Sequence, residues 1–423
     1  MSELIGNLLV AQSGGPTAVI NASVAGIFQQ ARKYPFIQKI HGGLNGILGI
    51  LNEQLVDLKA ESPETIQDLK HTPAAALGTC RYKIDFKRKP DRAARDMDRL
   101  FEVFQAHNIR YFFYIGGNDS QDTAHKIHLE ALRRSFQMRV IGVPKTIDND
   151  LPHTDHCPGF GSVAKYNACT VMEISADVSS MATDDGSCCI IEVMGRSAGW
   201  IAASAVLAKR RPEDPPHIIL LPEIPFQEEK FLARVQQVVA QAGFCIVVAG
   251  EGLKKPDGAE YSADATHLDA FGHPVLSGVA ERLGELVFGK LHTKTRTVKL
   301  GYAQRCAAHY ASATDAAEAA GCGEAAVRAA AEGHSGYMVK LVRGSGQDYN
   351  WTTGLQPLAD IANVENLVPR DWISEDGFTP NEKFVSYARP LIHGEVQVPT
   401  EGGLPNFARL QRHPVPQKLP PRK

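Results

Sequence analysis

No stretch of this chain holds the roughly 18 consecutive apolar residues that a membrane helix requires, so no span is expected. The start, Met1-Ser2-Glu3-Leu4, has no basic region ahead of an apolar run, so no signal peptide is expected either. Excess charge is also missing. A formal net charge of -2 over 423 residues argues against a nucleic-acid or membrane partner held by bulk electrostatics. The eight cysteines include no Cys-x-x-Cys pair, which removes the usual zinc spacing and points to a reducing, cytoplasmic setting. No internal repeat stands out. What is present is an ordinary soluble composition, 43% apolar and 22% charged, in a chain long enough for two cores.

The order of segments then carries the reading. Leu8 to Ala11 is a short apolar strand, followed by the Gln12-Ser13-Gly14-Gly15-Pro16-Thr17 turn and a helical stretch from Ala18 to Arg32. Strand, glycine turn and helix together aim backbone N–H groups at an anion. The turn is neither a Walker loop nor a G-x-G-x-x-G fingerprint. A helix is expected over 91–107, a strand over 111–115, and a second glycine turn at Gly116-Gly117-Asn118-Asp119-Ser120. A helix over 121–136 and a strand over 138–143 follow, with Pro144 ending the strand. Lys145-Thr146-Ile147-Asp148-Asn149-Asp150 comes next, a lysine and two carboxylates within six residues. Taken alone, Asp148-Asn149-Asp150 is equally compatible with a solvated acidic turn.

This β-α-β-α rhythm implies a parallel sheet covered on both faces. Three strand ends would bring Gly14-Gly15, Asn118-Asp119 and Lys145 to Asp150 to one edge, where open α/β folds bind ligands. Lysine and N–H donors beside hard carboxylates suit a magnesium–polyphosphate site. A second α/β domain is expected from the strands 188–193, 217–221, 244–249 and 298–302. Their ends carry Met194-Gly195-Arg196, Gly250-Glu251-Gly252 and Gln304-Arg305. The segment 311–332 is alanine-rich and helical, and the proline-rich basic tail from Pro414 should be ordered only where it packs.

Five of these turns together resemble one family. Ser13-Gly14-Gly15, Gly116 to Ser120, Pro144 to Asp150, Met194-Gly195-Arg196 and Gly301-Tyr302-Ala303-Gln304-Arg305 occur in the order found in the phosphofructokinases, particularly the pyrophosphate-dependent branch. The resemblance runs from about Gly6 to about Lys340. It implies two Rossmann-like three-layer domains with parallel sheets and the active site in the cleft between them. Residues 1–157, completed by part of 304–370, would bind the donor. Residues 158–303, completed by part of 371–423, would bind fructose 6-phosphate.

The implied reaction is reversible transfer of phosphate from pyrophosphate to the 1-hydroxyl of fructose 6-phosphate. Asp148 is implied as the base, with Lys145 and Asp119 completing the catalytic set. Thr146, Ile147 and Asp150 would hold the sugar. Met194, Gly195, Arg196, Glu251, Arg296, Tyr302 and Arg305 would form the rest of the sugar-phosphate site, with arginines suited to the 6-phosphate. Gly15, Arg81 and Ser120 would face the pyrophosphate, and Mg2+ would lie near Asn118 and Asp119. The resemblance also implies a homodimer or homotetramer.

Asp119 stands where ATP-dependent relatives usually have glycine, and its carboxylate would repel the α-phosphate of ATP. Lys145 replaces a glycine of the bacterial ATP enzymes and would neutralise charge on the transferring group. Asn118 replaces a frequent aspartate, implying weaker or water-mediated metal contact. Ser187 replaces an intersubunit arginine, and Ala25 and Gln29 replace two effector-binding arginines. The competing readings are an ATP-dependent 6-phosphofructokinase and a non-catalytic metabolite-binding subunit on the same fold.

Overall fold

The computed structural model describes residues 3–422 except 184–185, 269–273, 277, 347 and 362–363. Its strands, in chain order, are β1 (Gly6–Gln12), β2 (Ile37–Gly43), β3 (Leu55–Asp57), β4 (Ile109–Gly116), β5 (Arg139–Pro144), β6 (Ser187–Val193), β7 (Ile218–Leu220) and β8 (Phe244–Gly250). They continue as β9 (Ala263–Leu268), β10 (Pro274–Leu276), β11 (Lys294–Lys299), β12 (Tyr337–Arg343) and β13 (Trp351–Pro357). The two compact units comprise residues 1–159, 313–364 and 394–423, and residues 160–312 and 365–393.

The first unit is built on a seven-stranded sheet of order β13-β12-β5-β4-β1-β2-β3. Its five inner strands run parallel, and β3 and β13 are antiparallel at the two edges. Strand side chains alternate between faces, and here both faces are apolar. Leu8, Val10, Tyr111 and Phe113 enter one buried cluster, and Leu9, Ala11, Phe112 and Tyr114 the other. The first face is covered by the helices Ile20–Ala31 and Ala313–Ala331. These two helices approach closely because each presents a glycine. A Cβ at Gly26 would lie 2.1 Å from the Ala320 carbonyl oxygen, and one at Gly323 would lie 2.2 Å from that of Ser23. The second face is covered by Pro90–Ala106 and Asn118–Arg133.

The second unit carries a parallel four-stranded sheet of order β11-β6-β8-β7. The helices Glu228–Ala242 and Val279–Leu291 bury Phe231, Val235, Leu283 and Val287 against one face. The helix Phe160–Ser180 lies against β6 and β8.

One boundary here differs from expectation. The helix after β4 begins at Asn118 rather than Gln121. Asn118-Asp119-Ser120 has turn composition, yet such residues are also favoured in a first helical turn, where a carboxylate meets the positive helix end. Pro144 ends β5 as expected, as its last residue, opposite Gly116. The tail packs against the first unit, in keeping with a segment ordered where it packs. Buried Glu53 accepts the N–H groups of Lys418 and Leu419, and buried Glu61 those of Gln411 and Arg412. Asp57 and Val415 add backbone bonds to His413 and Leu55.

The loop after β5 is fixed by buried charge. His156 Nε2 lies 2.6 Å from Glu318 and its Nδ1 lies 2.7 Å from Asp155, which Arg343 also engages. Burial alone would lower the His156 pKa, but the Glu318 and Asp155 carboxylates outweigh it and raise it to about 9. The folded value lies above the ordinary 6.5, so this contribution to stability is complete below pH 6.5 and disappears as pH rises to about 9. His156→Gln should flatten that pH dependence and lower stability by roughly 3 kcal/mol, the scale for removing one partner of a buried charge pair. Thermal melts of both proteins at the two pH values check this, and equal slopes would exclude the network as the source.

Candidate active site

The carboxyl ends of β1, β4 and β5 are neighbours in the sheet, so their three turns lie side by side. At the β1 turn Gly14 has φ +75°, a conformation that favours glycine. Its N–H donates to Cys80 and its carbonyl accepts from Thr79 Oγ1 at 2.6 Å. Lys145 crosses from the β5 turn, and its buried ammonium donates to the Gly15 carbonyl at 2.6 Å. The Gly14-Gly15 turn, Lys145 and residues Thr79 and Cys80 therefore meet at this edge. Arg81 is exposed beside them.

At the β4 turn, Asn118 directs its side-chain amide to the Val364 carbonyl at 2.8 Å. Ser120 is buried below, and Asp119 projects outward with its side chain about half exposed. Lys83 reaches Asp119 at 2.7 Å. Burial would lower the lysine, yet its hydrogen bond and charge contact with Asp119 hold its pKa above the usual value.

The β5 turn is stitched to the chain that follows it. Thr146 bridges to Gly159, its hydroxyl accepts the Asp148 N–H at 3.1 Å, and Asn149, with φ 55° and fully buried, accepts the Cys157 N–H at 2.8 Å. Ile147 is buried among these bonds, leaving Asp148 and Asp150 partly exposed on either side of Asn149.

In the second unit, the ends of β6, β8 and β11 converge similarly. Gly195 has φ +118°, and its N–H donates to Glu251 at 3.3 Å. The Met194 N–H donates to Gln304 at 3.2 Å. Burial is the largest influence on Glu251 and raises its pKa despite the Gly195 hydrogen bond. Arg196 lies 3.7 Å from Glu260. The Arg305 guanidinium stacks 4.4 Å above the Tyr302 ring, whose side chain is largely exposed. Met194, Gly195, Arg196, Glu251, Tyr302 and Arg305 thus belong to one sheet edge.

Arg296 does not join them within this unit. The sequence placed it before a strand beginning at Val298, but β11 starts at Lys294 and pairs Arg296 with Cys189. Cys189 lies five residues before Met194, about 16 Å along an extended strand. The strand begins early because Thr295 and Thr297 favour β structure and the chain pairs on one side only.

Two residues escaped sequence reasoning. Lys83 follows Arg81 by two positions, but nothing local reveals that it meets Asp119, 36 residues away. Gln304 lies inside a quoted motif, and its buried amide ties the β11 turn to the β6 turn. Among the described residues, no cluster of three or more His, Cys, Asp or Glu side chains is arranged to hold a metal unaided. Ala25, at one of the two departures on the first helix, is fully buried in the core.

Comparison with known proteins accords with this geometry. A family profile described as Phosphofructokinase matches residues 7–330. The chain is 46% identical to a pyrophosphate–fructose 6-phosphate 1-phosphotransferase of Halomonas elongata, over 98% of each chain. It is 45% identical to one of Methylococcus capsulatus, again over 98% of each. Crystal structures described as pyrophosphate-dependent phosphofructokinases superpose closely. That from Marinobacter aquaeolei has a TM-score of 0.89 at 45% identity, and that from Nitrosospira multiformis 0.90 at 43%. Each covers 99% of this chain and 100% of the other. The three adjacent turns, the two parallel sheets and this likeness along the whole length lead to one conclusion: the chain belongs to the phosphofructokinase family.

Proposed function

We propose that the protein transfers a phosphoryl group reversibly from pyrophosphate to the 1-hydroxyl of fructose 6-phosphate, giving fructose 1,6-bisphosphate and phosphate. The observation that carries this reading is the contact of Lys145 with the Gly14-Gly15 turn, on the same short loop as Asp148. One loop thereby offers a cation to the donor and a carboxylate to the acceptor. The relatives named for this reaction match the chain throughout.

In the forward direction the sugar 1-oxygen attacks a phosphorus of pyrophosphate, and the bridging P–O bond breaks to release phosphate. Asp148 accepts the hydroxyl proton as the new bond forms. Lys145, Gly15, Arg81 and Ser120 bind and orient the donor, where positive charge and N–H groups are worth most as negative charge shifts between oxygens. Thr146, Ile147 and Asp150 hold the sugar end, with Met194, Gly195, Arg196, Glu251, Tyr302 and Arg305 binding the sugar phosphate, while Arg296, set back along its strand, stands apart from this set within the unit. In this reading the first unit carries the donor residues and the base, and the second carries most of the sugar-phosphate residues.

Magnesium fits this donor set, because it is commonly held by one or two carboxylates together with substrate phosphates. Asp119 is the exposed carboxylate suited to it, with Asn118 beside it, and the ion would neutralise the donor oxygens. We further assign the protein to the cytoplasm as a homodimer or homotetramer. All eight cysteines are free thiols, and no described helix is long and apolar enough to cross a membrane.

A matrix of pyrophosphate and ATP against fructose 6-phosphate tests the reading, and faster turnover with ATP would overturn the donor assignment. Asp148→Ala should reduce kcat by about 10²-fold or more while leaving sugar-phosphate binding within about tenfold. Retention of a tenth of the parent rate would remove Asp148 from the role of base. Asp119→Gly should make ATP use measurable and weaken pyrophosphate use. Unchanged ATP affinity by calorimetry would mean that another feature excludes the nucleotide.

A further inference from the structure

The segment 79–83 is tied at both ends to the donor edge. Thr79 and Cys80 bond to Gly14 at the β1 turn, and Lys83 bonds to Asp119 at the β4 turn. Lys83 therefore lies beside a turn adjacent to the one that Lys145 crosses. Its side chain remains about one-third exposed, and an ammonium has three donors. The neighbouring acids are otherwise engaged. Asp122 pairs with Lys126 at 2.6 Å, and Asp85 accepts the N–H groups of Lys87 and Arg88. Lys145, by contrast, is nearly enclosed and commits one donor to Gly15.

Resting on the pyrophosphate reading, we infer that Lys83 is a further donor-specificity residue that bridges Asp119 and a phosphate oxygen of pyrophosphate. Before a metal ion is shared with the donor, a lone carboxylate at position 119 would repel any phosphate donor, pyrophosphate included. Lys83 offsets that charge at the entrance, and its remaining N–H donors meet the small donor. The Asp119 side chain still fills the position that a longer donor's additional phosphate would need. Selection then comes from a neutral pair that is tolerant of charge and intolerant of size.

The test uses the full-length protein with Lys83→Met and Lys83→Gln, the second keeping a hydrogen-bonding group should the first fold poorly. Folding is checked by circular dichroism. Each variant should raise the KM for pyrophosphate about tenfold, the scale of one hydrogen bond to a charged group. The KM for fructose 6-phosphate should stay within about twofold, since losing this contact leaves the sugar half untouched. Calorimetric affinity for methylenediphosphonate should fall in parallel.

The Lys83→Met/Asp119→Asn double variant should have a higher pyrophosphate KM than Asp119→Asn alone. Equal values in the two would mean that Lys83 acts only by masking Asp119, which overturns direct contact. An unchanged pyrophosphate KM, or an equal rise for both substrates, would likewise overturn the inference. A parent without pyrophosphate activity would instead overturn the functional reading itself.

Discussion

The loop that carries Lys145 and Asp148 depends on two carboxylates buried far along the chain. Asp315 and Glu318, both fully enclosed on the helix Ala313–Ala331, receive the Gly159 N–H at 2.8 Å and His156 at 2.6 Å. Tyr349 donates to the other oxygen of Glu318. Burying carboxylates is costly unless every oxygen is satisfied, and satisfied ones resist displacement. The segment 154–159 is therefore fixed. It in turn fixes the reactive loop through the Thr146 bridge to Gly159 and the Cys157 bond to Asn149. Asn149 tolerates its left-handed backbone better than most residues do, and its enclosed side chain leaves the carboxylates on either side partly exposed.

This dependence explains the tight packing of the same helix on Ile20–Ala31. Gly26 and Gly323 allow backbones to approach where any side chain would collide with a carbonyl. The contact places the carboxylate-bearing helix against the helix that follows the Gly14-Gly15 turn. One packed helix pair thereby supports two of the three turns at the donor edge. Under the proposed function, a side chain at Gly323 would disturb these turns without approaching a substrate.

Much of this was legible in the chain. The runs Leu8 to Ala11 and Tyr111 to Ile115 are apolar on both faces because helices cover both, and a glycine turn follows each. Their common edge follows from parallel connection alone. The strand β2 was not legible, because Gln38 and Lys39 are exposed and interrupt its pattern. The edge strand β13 is only partly buried and its sequence resembles loop, whereas β12, with Met338, Val339 and Leu341 in the core, has a strand pattern that the motifs around it did not reveal. Glu53 and Glu61 look like surface acids until the tail, more than three hundred residues later, supplies their N–H partners. Turns that carry local motifs were legible, whereas the distant partners that Lys83 and Gln304 find, Asp119 and Met194, were not.

The same distinction bears on donor choice. Reading Asp119 alone suggests that charge repulsion selects the donor, but repulsion is poor at distinguishing two polyphosphates. Both carry phosphate charge to the same edge, and an exposed carboxylate acts over several ångströms in water. The Lys83–Asp119 pair, at 2.7 Å, largely cancels that field at a distance. What survives cancellation is the short-range part, the volume of the pair and the direction of its N–H groups. Short-range contacts discriminate by length and shape, which is the property in which pyrophosphate differs most from a nucleotide. On the proposed reading, a lysine that offsets the charge of Asp119 would sharpen its selectivity instead of weakening it.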